Sequence, residues 1–333
     1  MTIHLEDYER RRLPGRVVQG ISAVLLPYRA GRIDEVGFRR HLSRTLRAGL
    51  RPAVNMDTGY VDLLTPDEKR RVLAWTREAV GEHDWFAAGA LPASGAAGAT
   101  KGATPSACAE AYLQEGSAIA AAGGVPVIFP SEATAALDDD GLVQFFRQVA
   151  AGAARFIAFE LGAVFNPNGR MFSKPVLDTL MGLPQCIGLK HSSLDRATEF
   201  DRLDQRDRLR PDFTIYSGND LAADMIEYGS DYLLGLSTFA PELFAARDRA
   251  WVAGDARYLD WRDLIQYLGW IGFRHPVPAY KHSAAIFLKL TGGLESDEPH
   301  PRAPQREKWD RQFLADAARR LERISVSETS GSK

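Results

Sequence analysis

The sequence predicts an α/β protein, a (β/α)8 TIM barrel with additional C-terminal helices, and three observations predict it. Short apolar segments of strand length alternate with segments of helical apolar spacing, and this happens eight times up to about residue 239. Alternating strands and helices favour a parallel sheet, and eight such units favour a closed barrel. About 90 residues then remain, which is enough for several further helices.

The eight predicted strands are short, apolar and bounded by glycine, proline or polar residues. They cover residues 17–26, 52–56, 85–91, 125–129, 155–161, 186–190, 213–217 and 232–236. Two of the intervening helices have clear start signals. Asp34 begins one as a cap, and Thr65 precedes Pro66 in the first turn of another, with acidic residues near the positive end of the helix dipole.

No linker divides the chain into independent domains. We predict an N-terminal extension over residues 1–16, the barrel over 17–239, a helical region packed on the barrel over 240–324, and a disordered polar tail over 325–333. Residues 93–103 form a long loop rich in Ala and Gly, which is either a mobile lid or a flexible connection.

The composition excludes several classes of function. A net charge of −2 with 25% charged residues gives no reason to expect nucleic acid or an anionic membrane as a partner. Cys108 and Cys186 are the only cysteines, so no disulfide framework or cysteine metal site is expected. The sequence has no apolar core of an N-terminal signal peptide and no run of about 18 apolar residues, which predicts a soluble cytoplasmic protein.

Metal and cofactor motifs are missing as well. The seven histidines include no His-x-x-x-His or His-x-His pair, and no Gly-x-Gly-x-x-Gly follows a strand. We therefore expect neither a metal ion nor an organic cofactor.

The sixth predicted strand ends abruptly in Lys190. Burial disfavours the charged form of an amine and so raises the fraction that is neutral and nucleophilic near neutral pH. A neutral amine can add to a ketone and form an imine that withdraws electrons from the neighbouring carbon bond. The alternative is a lysine that pairs with an acid or extends its charged end to solvent.

Several segments occur in a characteristic order and spacing: Pro27, the helix at Asp34, Thr58-Gly59, Leu64-Thr65-Pro66-Asp67-Glu68, Ile187-Gly188-Leu189-Lys190, Tyr216-Ser217-Gly218-Asn219-Asp220 and Ala240-Pro241. Taken together, from about residue 20 to 290, these segments resemble the dihydrodipicolinate synthase/N-acetylneuraminate lyase family of class I aldolases. The resemblance implies that Lys190 captures a 2-oxo acid as an imine. It also implies a homo-oligomer, a dimer or a tetramer.

The substrate motif departs from that of the family. The family's Gly-Thr-Thr-Gly-Glu is replaced here by Met56-Asp57-Thr58-Gly59-Tyr60. Thr58 and Gly59 are expected to hold the oxyanion end of the substrate, but an ionised Asp57 would repel a carboxylate at contact distance. Asp57 is therefore protonated, or turned away, or faces another substrate group, or caps its loop by bonding backbone N–H groups.

The family's acid/base tyrosines are also missing. Phe159 stands where strand five should carry a tyrosine, and sliding the comparison to Phe165 again gives phenylalanine, although Gly169-Arg170 then lies near the family's Gly-Arg pair. The tyrosine after strand four is absent too. Three residues remain as candidates for the acid/base group, in this order: Glu160, Asp57 and His191.

The face on which Glu160 lies stays open. If it points into the barrel, it is a general base or the counter-ion of Lys190; if it points outward, it pairs with an arginine on a helix. Alternation along strand six favours a structural role for His191. Ser217 and Leu233 are predicted to contact the substrate. Tyr280-Lys281-His282 lies outside the eight strands and is interpreted as surface or subunit contact.

The leading hypothesis is a Schiff-base-forming lyase that acts on a 2-oxo acid or a related carbonyl compound, with carbon–carbon bond cleavage or formation, or dehydration. Because the missing tyrosines weaken the case for turnover, the alternative is a barrel that binds or senses a small carbonyl ligand. Decarboxylation through the same imine is a third possibility.

Overall fold

Eight parallel strands close into a barrel, and their order around it follows the chain. The computed structural model describes residues 5–330. The strands, β1 to β8, are Gly20–Ala23, Arg51–Val54, Phe86–Ala90, Gly124–Ile128, Phe156–Leu161, Cys186–Ser192, Thr214–Ser217 and Asp231–Leu234. β8 pairs in parallel with β1 and closes the barrel. The predicted (β/α)8 TIM barrel with additional C-terminal helices is confirmed.

Helices surround the barrel and continue beyond it. In chain order, α1 to α12 are Leu5–Arg11, Glu35–Arg47, Pro66–Val80, Pro105–Ala121, Glu132–Ala135, Asp139–Gly152, Lys174–Gly182, Arg196–Leu209, Pro241–Ala253, Tyr258–Gly272, Tyr280–Leu290 and Asp310–Ser330. The connection from β7 to β8 has only a short 3-10 turn, Met225–Tyr228, in place of a full helix. Among the described residues, no helix has the length and apolar character that crossing a bilayer requires.

Both predicted helix starts have the expected caps. The Asp34 carboxylate accepts a hydrogen bond from the backbone N–H of Gly37 at the start of α2. At the start of α3, the hydroxyl of Thr65 accepts from the N–H of Glu68, whose carboxylate in turn accepts from the N–H of Thr65. These reciprocal bonds satisfy backbone donors that have no partner inside the helix.

Side chains that alternate along the strands separate the interior of the barrel from the layer between strands and helices. On β5, Ile157, Phe159 and Leu161 belong to the interior cluster, whereas Phe156 and Ala158 pack against the helices. Neighbouring strands stay in register here: Lys190 on β6 pairs with Phe159 on one side and with Tyr216 on the other. This register places the Lys190 side chain inside the barrel.

The last helices pack against one another, and α11 contacts both α10 and α12. α12 extends to Ser330, so its last residues fall within the segment 325–333 that the sequence predicts to be a disordered tail. No Gly or Pro between residues 325 and 330 ends the helix. Residues 331–333 and 1–4 lie outside the described residues, so the ends of both predicted terminal segments are not described.

Candidate active site

Lys190 lies in a nearly dry, aromatic environment near the C-terminal end of β6. It is 6% exposed, and its Nζ lies 4.2 Å from the ring centroid of Phe159. Burial lowers the pKa of Lys190 to about 8, although the charges of Asp220 and Asp57 act in the opposite direction. A lysine with a pKa of about 8 is about 9% neutral at pH 7, roughly 300 times the fraction for an ordinary lysine.

Aromatic rings form one wall of this environment. Phe129 meets Phe159 edge to face, with ring centroids 5.1 Å apart. Tyr216 approaches so closely that a Cβ atom at Gly188 would lie 2.7 Å from its ring, so the glycine leaves room for this ring beneath Lys190. Neither phenylalanine ring can exchange a proton with a substrate.

Asp57 lies at the mouth of the barrel, in the 3-10 turn that follows β2. Its Oδ1 accepts a hydrogen bond from Lys281 Nζ at 2.9 Å, and its Oδ2 accepts one from the Tyr280 hydroxyl at 2.8 Å. The alternative in which Asp57 caps its own loop is wrong, because both of its carboxylate oxygens accept hydrogen bonds from side chains of α11 instead.

Thr58 and Gly59 are buried in the same turn. The Thr58 hydroxyl lies 2.8 Å from the hydroxyl of Tyr280. Tyr60, which stands where the family has glutamate, adopts a left-handed backbone conformation with φ of 58°. Its ring packs edge to face against Tyr28, at 5.7 Å between centroids.

The structure corrects the interpretation of Tyr280 and Lys281 as surface residues. Both are buried at the start of α11, because the chain returns to the barrel mouth after α10. Tyr280 stacks on Phe273 with centroids 4.4 Å apart. Tyr280, Ala284 and Leu288 are spaced as one buried face of a helix. This spacing was the signal in the sequence that could have identified Tyr280 as buried.

Asp220 is a further site residue that sequence reasoning missed, although the segment that contains it was part of the resemblance. It is buried in the loop after β7, and its Oδ1 accepts a hydrogen bond from the backbone N–H of Leu236 at 2.8 Å. Burial raises the pKa of Asp220 to about 7, against the lowering effect of that hydrogen bond and of the Lys190 charge. Two interacting groups thus titrate near neutrality, which is typical of functional sites.

Glu160 points away from Lys190, so the inward alternative is wrong. Its carboxylate accepts hydrogen bonds from Arg202 Nε at 2.8 Å and from the backbone N–H of Phe172 at 2.8 Å, and lies 2.6 Å from His191 Nδ1. Burial raises the pKa of Glu160, but the hydrogen bonds to His191 and Arg202 outweigh it and leave the pKa below its usual value. His191 also faces the helices, as alternation predicted, and its Nε2 lies 2.8 Å from the Ser193 hydroxyl.

Three other residues singled out from the sequence are Ser217, Leu233 and Arg170. Ser217, which is predicted to contact the substrate, has its hydroxyl directed toward the helices, where it donates to Glu199 on α8 at 3.1 Å. Leu233 belongs to the interior cluster of the barrel. Arg170, in the Gly-Arg pair, donates hydrogen bonds to the carbonyl of Leu137 and to the carboxylate of Asp139.

Within residues 5–330, no group of three or more His, Cys, Asp or Glu side chains is placed to hold a metal ion.

The fold and site define a class of protein: a (β/α)8 barrel with an amine of depressed pKa inside its mouth. Comparisons with known proteins agree with the barrel fold. No family model matches the sequence. The 4-hydroxy-tetrahydrodipicolinate synthase of Kosmotoga olearia is 24% identical over 242 residues, which cover 70% of this chain and 75% of that protein.

Solved structures have the same fold. Dihydrodipicolinate synthase from Thermotoga maritima superposes with a TM-score of 0.74 at 17% identity, covering 91% of this chain and 98% of that one. A prophage protein of the dihydrodipicolinic acid synthase family from E. coli K12, in complex with pyruvate, has a TM-score of 0.75 at 16% identity, with coverage of 91% and 98%. This chain has the fold of these dihydrodipicolinate synthase structures and resembles a 4-hydroxy-tetrahydrodipicolinate synthase in sequence over most of its length.

Proposed function

We propose that the protein is a Schiff-base-forming lyase whose Lys190 amine captures a 2-oxo acid or a related carbonyl compound. The reaction that follows makes or breaks a carbon–carbon bond, or removes water. The observation that carries the proposal is the dry amine over Phe159, with its pKa lowered to about 8 by burial. An amine of this kind is nucleophilic at neutral pH without a metal or an organic cofactor.

Asp220 supplies the proton balance for imine formation. It takes one proton from the Lys190 ammonium, and the neutral amine then adds to the carbonyl carbon. A proton moves from the nitrogen of the adduct to its oxygen. The carbon–oxygen bond breaks as Asp220 returns its proton to the departing hydroxyl group, so ammonium and ketone become protonated imine and one water. A carboxyl group whose pKa is about 7 is suited to both transfers near neutral pH.

The protonated imine then acts as an electron sink. The electron pair of a bond to the carbon beside the imine flows toward the nitrogen, so that bond breaks and an enamine forms. In the synthetic direction, the enamine carbon attacks a second carbonyl compound. Hydrolysis of the imine finally releases the product and restores the free amine.

In this proposal, the backbone of the turn at Thr58 and Gly59 holds the carboxylate end of the substrate, which leaves the Thr58 hydroxyl free for other contacts. Asp57 is already bonded to the Lys281 ammonium at 2.9 Å, so an approaching carboxylate meets a compensated charge instead of a bare anion. This pairing removes the repulsion that Asp57 would otherwise exert.

The opposite end of the substrate meets an apolar wall. Phe159 and Phe129 line that side, and Leu233 adds an apolar contact from β8. Arg170 is bound to Asp139, so it is not free to meet a second carboxylate. We therefore propose a carbonyl substrate with one carboxylate and an apolar remainder. We also propose that the enzyme is a cytoplasmic dimer or tetramer, as the resemblance to the family implies.

Borohydride trapping tests the proposal. The full chain is incubated with pyruvate or a panel of aryl- and alkyl-substituted 2-oxo acids, reduced, and mapped by mass spectrometry. We expect one adduct on Lys190, which Lys190→Ala abolishes. Lys69→Met is the matched control, because Lys69 is also buried with a lowered pKa but donates to the carbonyl of Leu91 outside the interior of the barrel. An adduct that vanishes in the control, or no adduct with any 2-oxo acid, would refute the role of Lys190.

A binding or sensor protein is the second candidate, and the phenylalanines at positions 129 and 159 favour it because they cannot transfer protons. Reversible binding of 2-oxo acids by wild type, unchanged in Lys190→Ala, would support this candidate over the enzyme. Release of carbon dioxide during turnover would instead identify decarboxylation through the same imine.

A further inference from the structure

We propose that Tyr280, on the C-terminal helix α11, supplies the proton-transferring phenol that β5 lacks, and that it acts on the substrate through Thr58. The inference rests on the proposed imine function of Lys190. It assigns a role to a segment that lies outside the eight barrel strands. Tyr280 does not touch the substrate in this scheme, so it is a positioning residue that also passes protons.

A continuous hydrogen-bonded chain carries the proposal. It runs from Thr58 Oγ1 to the Tyr280 hydroxyl at 2.8 Å, and from that hydroxyl to Asp57 Oδ2 at 2.8 Å. Lys281 donates to the other oxygen of Asp57, so Oδ2 is the oxygen that can receive a proton from the chain. Every link is a good hydrogen bond between groups that can exchange protons.

The direction of donation sets up the relay. A phenol has one proton, and that of Tyr280 is donated to Asp57, so the Thr58 hydroxyl must donate to Tyr280. This leaves the lone pairs of Thr58 available to accept a proton from the substrate adduct. Thr58 is also the hydroxyl that the family motif places against the substrate.

The proton balance closes without a further reactant. When the Lys190 amine has added to the carbonyl, one proton leaves the adduct nitrogen for Thr58, the Thr58 proton moves to Tyr280, and the Tyr280 proton moves to Asp57. The same three transfers in reverse then bring a proton to the adduct oxygen. Each hydroxyl gains one proton and loses one at every stage, and Asp57 ends in its starting state.

The surroundings hold the Tyr280 ring in place. Phe273 stacks against it at 4.4 Å with an interplanar angle of 15°. On the barrel side, a Cβ at Gly235 would lie 3.0 Å from Cε2 of the ring and 3.3 Å from Thr58 Oγ1. Glycine at the end of β8 therefore lets the ring and the hydroxyl meet. A group fixed in this way needs little reorganisation when a proton moves.

The charges around the hydroxyl favour the phenol form. Burial, together with the charges of Asp57 and Asp220, raises the pKa of Tyr280 well above the usual value, against the lowering effect of the bond to Thr58. Tyr280 therefore keeps its proton between transfers. The same two carboxylates act on Lys190, which places all four groups in one electrostatic neighbourhood.

Four single variants test the relay with pyruvate as the probe: Tyr280→Phe, Thr58→Val, Thr58→Ser and, as the matched control, Tyr28→Phe. Tyr28 is also buried, but its hydroxyl has no hydrogen-bond partner among residues 5–330, so its removal should not affect proton transfer. The readout is the rate at which the Lys190 adduct becomes trappable by borohydride, measured over a range of pyruvate concentrations.

We expect Tyr280→Phe and Thr58→Val each to lower the maximum rate roughly hundredfold, the usual size of a general acid–base contribution. The half-saturating pyruvate concentration should change only a few-fold, and the adduct should still form on Lys190. Thr58→Ser keeps the hydroxyl and should stay within a few-fold of wild type, as should Tyr28→Phe. The double variant Tyr280→Phe/Thr58→Val should be no slower than either single variant, because both remove the same path.

Two results would overturn the relay while leaving Lys190 as the nucleophile: a wild-type rate in Tyr280→Phe, or single effects that multiply in the double variant. A loss that appears only as weaker pyruvate binding would equally reject it, since this would mean that Tyr280 merely supports the pocket. If wild type forms no adduct at all, the imine function itself fails. If Tyr280→Phe does not fold, the comparison of Thr58→Val with Thr58→Ser tests the relay instead. Equal rates of adduct formation in these two variants would reject it.

Discussion

The pH dependence of imine formation should follow the amine of Lys190. With a pKa of about 8, the neutral fraction is about 1% at pH 6, about 9% at pH 7 and about 90% at pH 9. The trapping rate with saturating pyruvate should therefore rise nearly a hundredfold across this range and level off above pH 9. An ordinary lysine would still be gaining reactivity at pH 10.

The assay is stopped-flow mixing with pyruvate followed by borohydride quenching at fixed ionic strength. The variant Asp220→Asn provides a second test of the pH profile, because the negative charge of Asp220 raises the pKa of Lys190. Removing that charge should move the midpoint of the profile below 8, while the side-chain carbonyl of Asn can still accept from Leu236. A profile that climbs past pH 10, or a midpoint that moves upward in Asp220→Asn, would refute the argument that burial activates Lys190.

Two further predictions concern stability. Glu160→Gln should lower the free energy of unfolding by about 3–5 kcal/mol, as measured by urea denaturation, because it leaves the buried Arg202 guanidinium without its counter-charge. The pH profile of borohydride trapping, counted per folded molecule, should stay unchanged. A shifted profile would argue against an outward-facing Glu160. Lys190→Met should stabilise the protein by up to ~3 kcal/mol at pH 7, because the folded state no longer holds an amine whose pKa is lowered from 10.5 to about 8. The native chain binds fewer protons than the unfolded chain between these two values, so the gain should shrink as the pH rises from 8 to 10.5, and a gain independent of pH would contradict it.

Much of the fold could be predicted from the sequence because its determinants are local. The run that ends at Lys190 has the length and composition of a buried strand, and β6 does extend over Cys186–Ser192. Asp34 and Thr65 cap helices at the predicted positions, since a cap involves only residues within one turn. Strict alternation on β6 also placed His191 on the face opposite Lys190.

The site could be predicted only where one strand and its following turn define it. Lys190 was predicted because it ends a buried strand, and Asp57 and Thr58 because they match the family's substrate motif. All three lie at or just after the carboxyl ends of strands, where barrels carry their active sites. Glu160 was misjudged because alternation says that it opposes Phe159 but not which of the two faces inward. A register shift near the start of β5 makes counting along the strand still less informative.

The sequence alone determined the barrel, the amine and the loss of the family's phenols from β4 and β5. Only the tertiary structure decided what stands in their place. Tyr280 meets Thr58 across 222 residues of chain, and such a contact leaves no mark in local periodicity. It arises because α11 buries its apolar face against the end of the barrel, and that packing brings a phenol and an ammonium to Asp57.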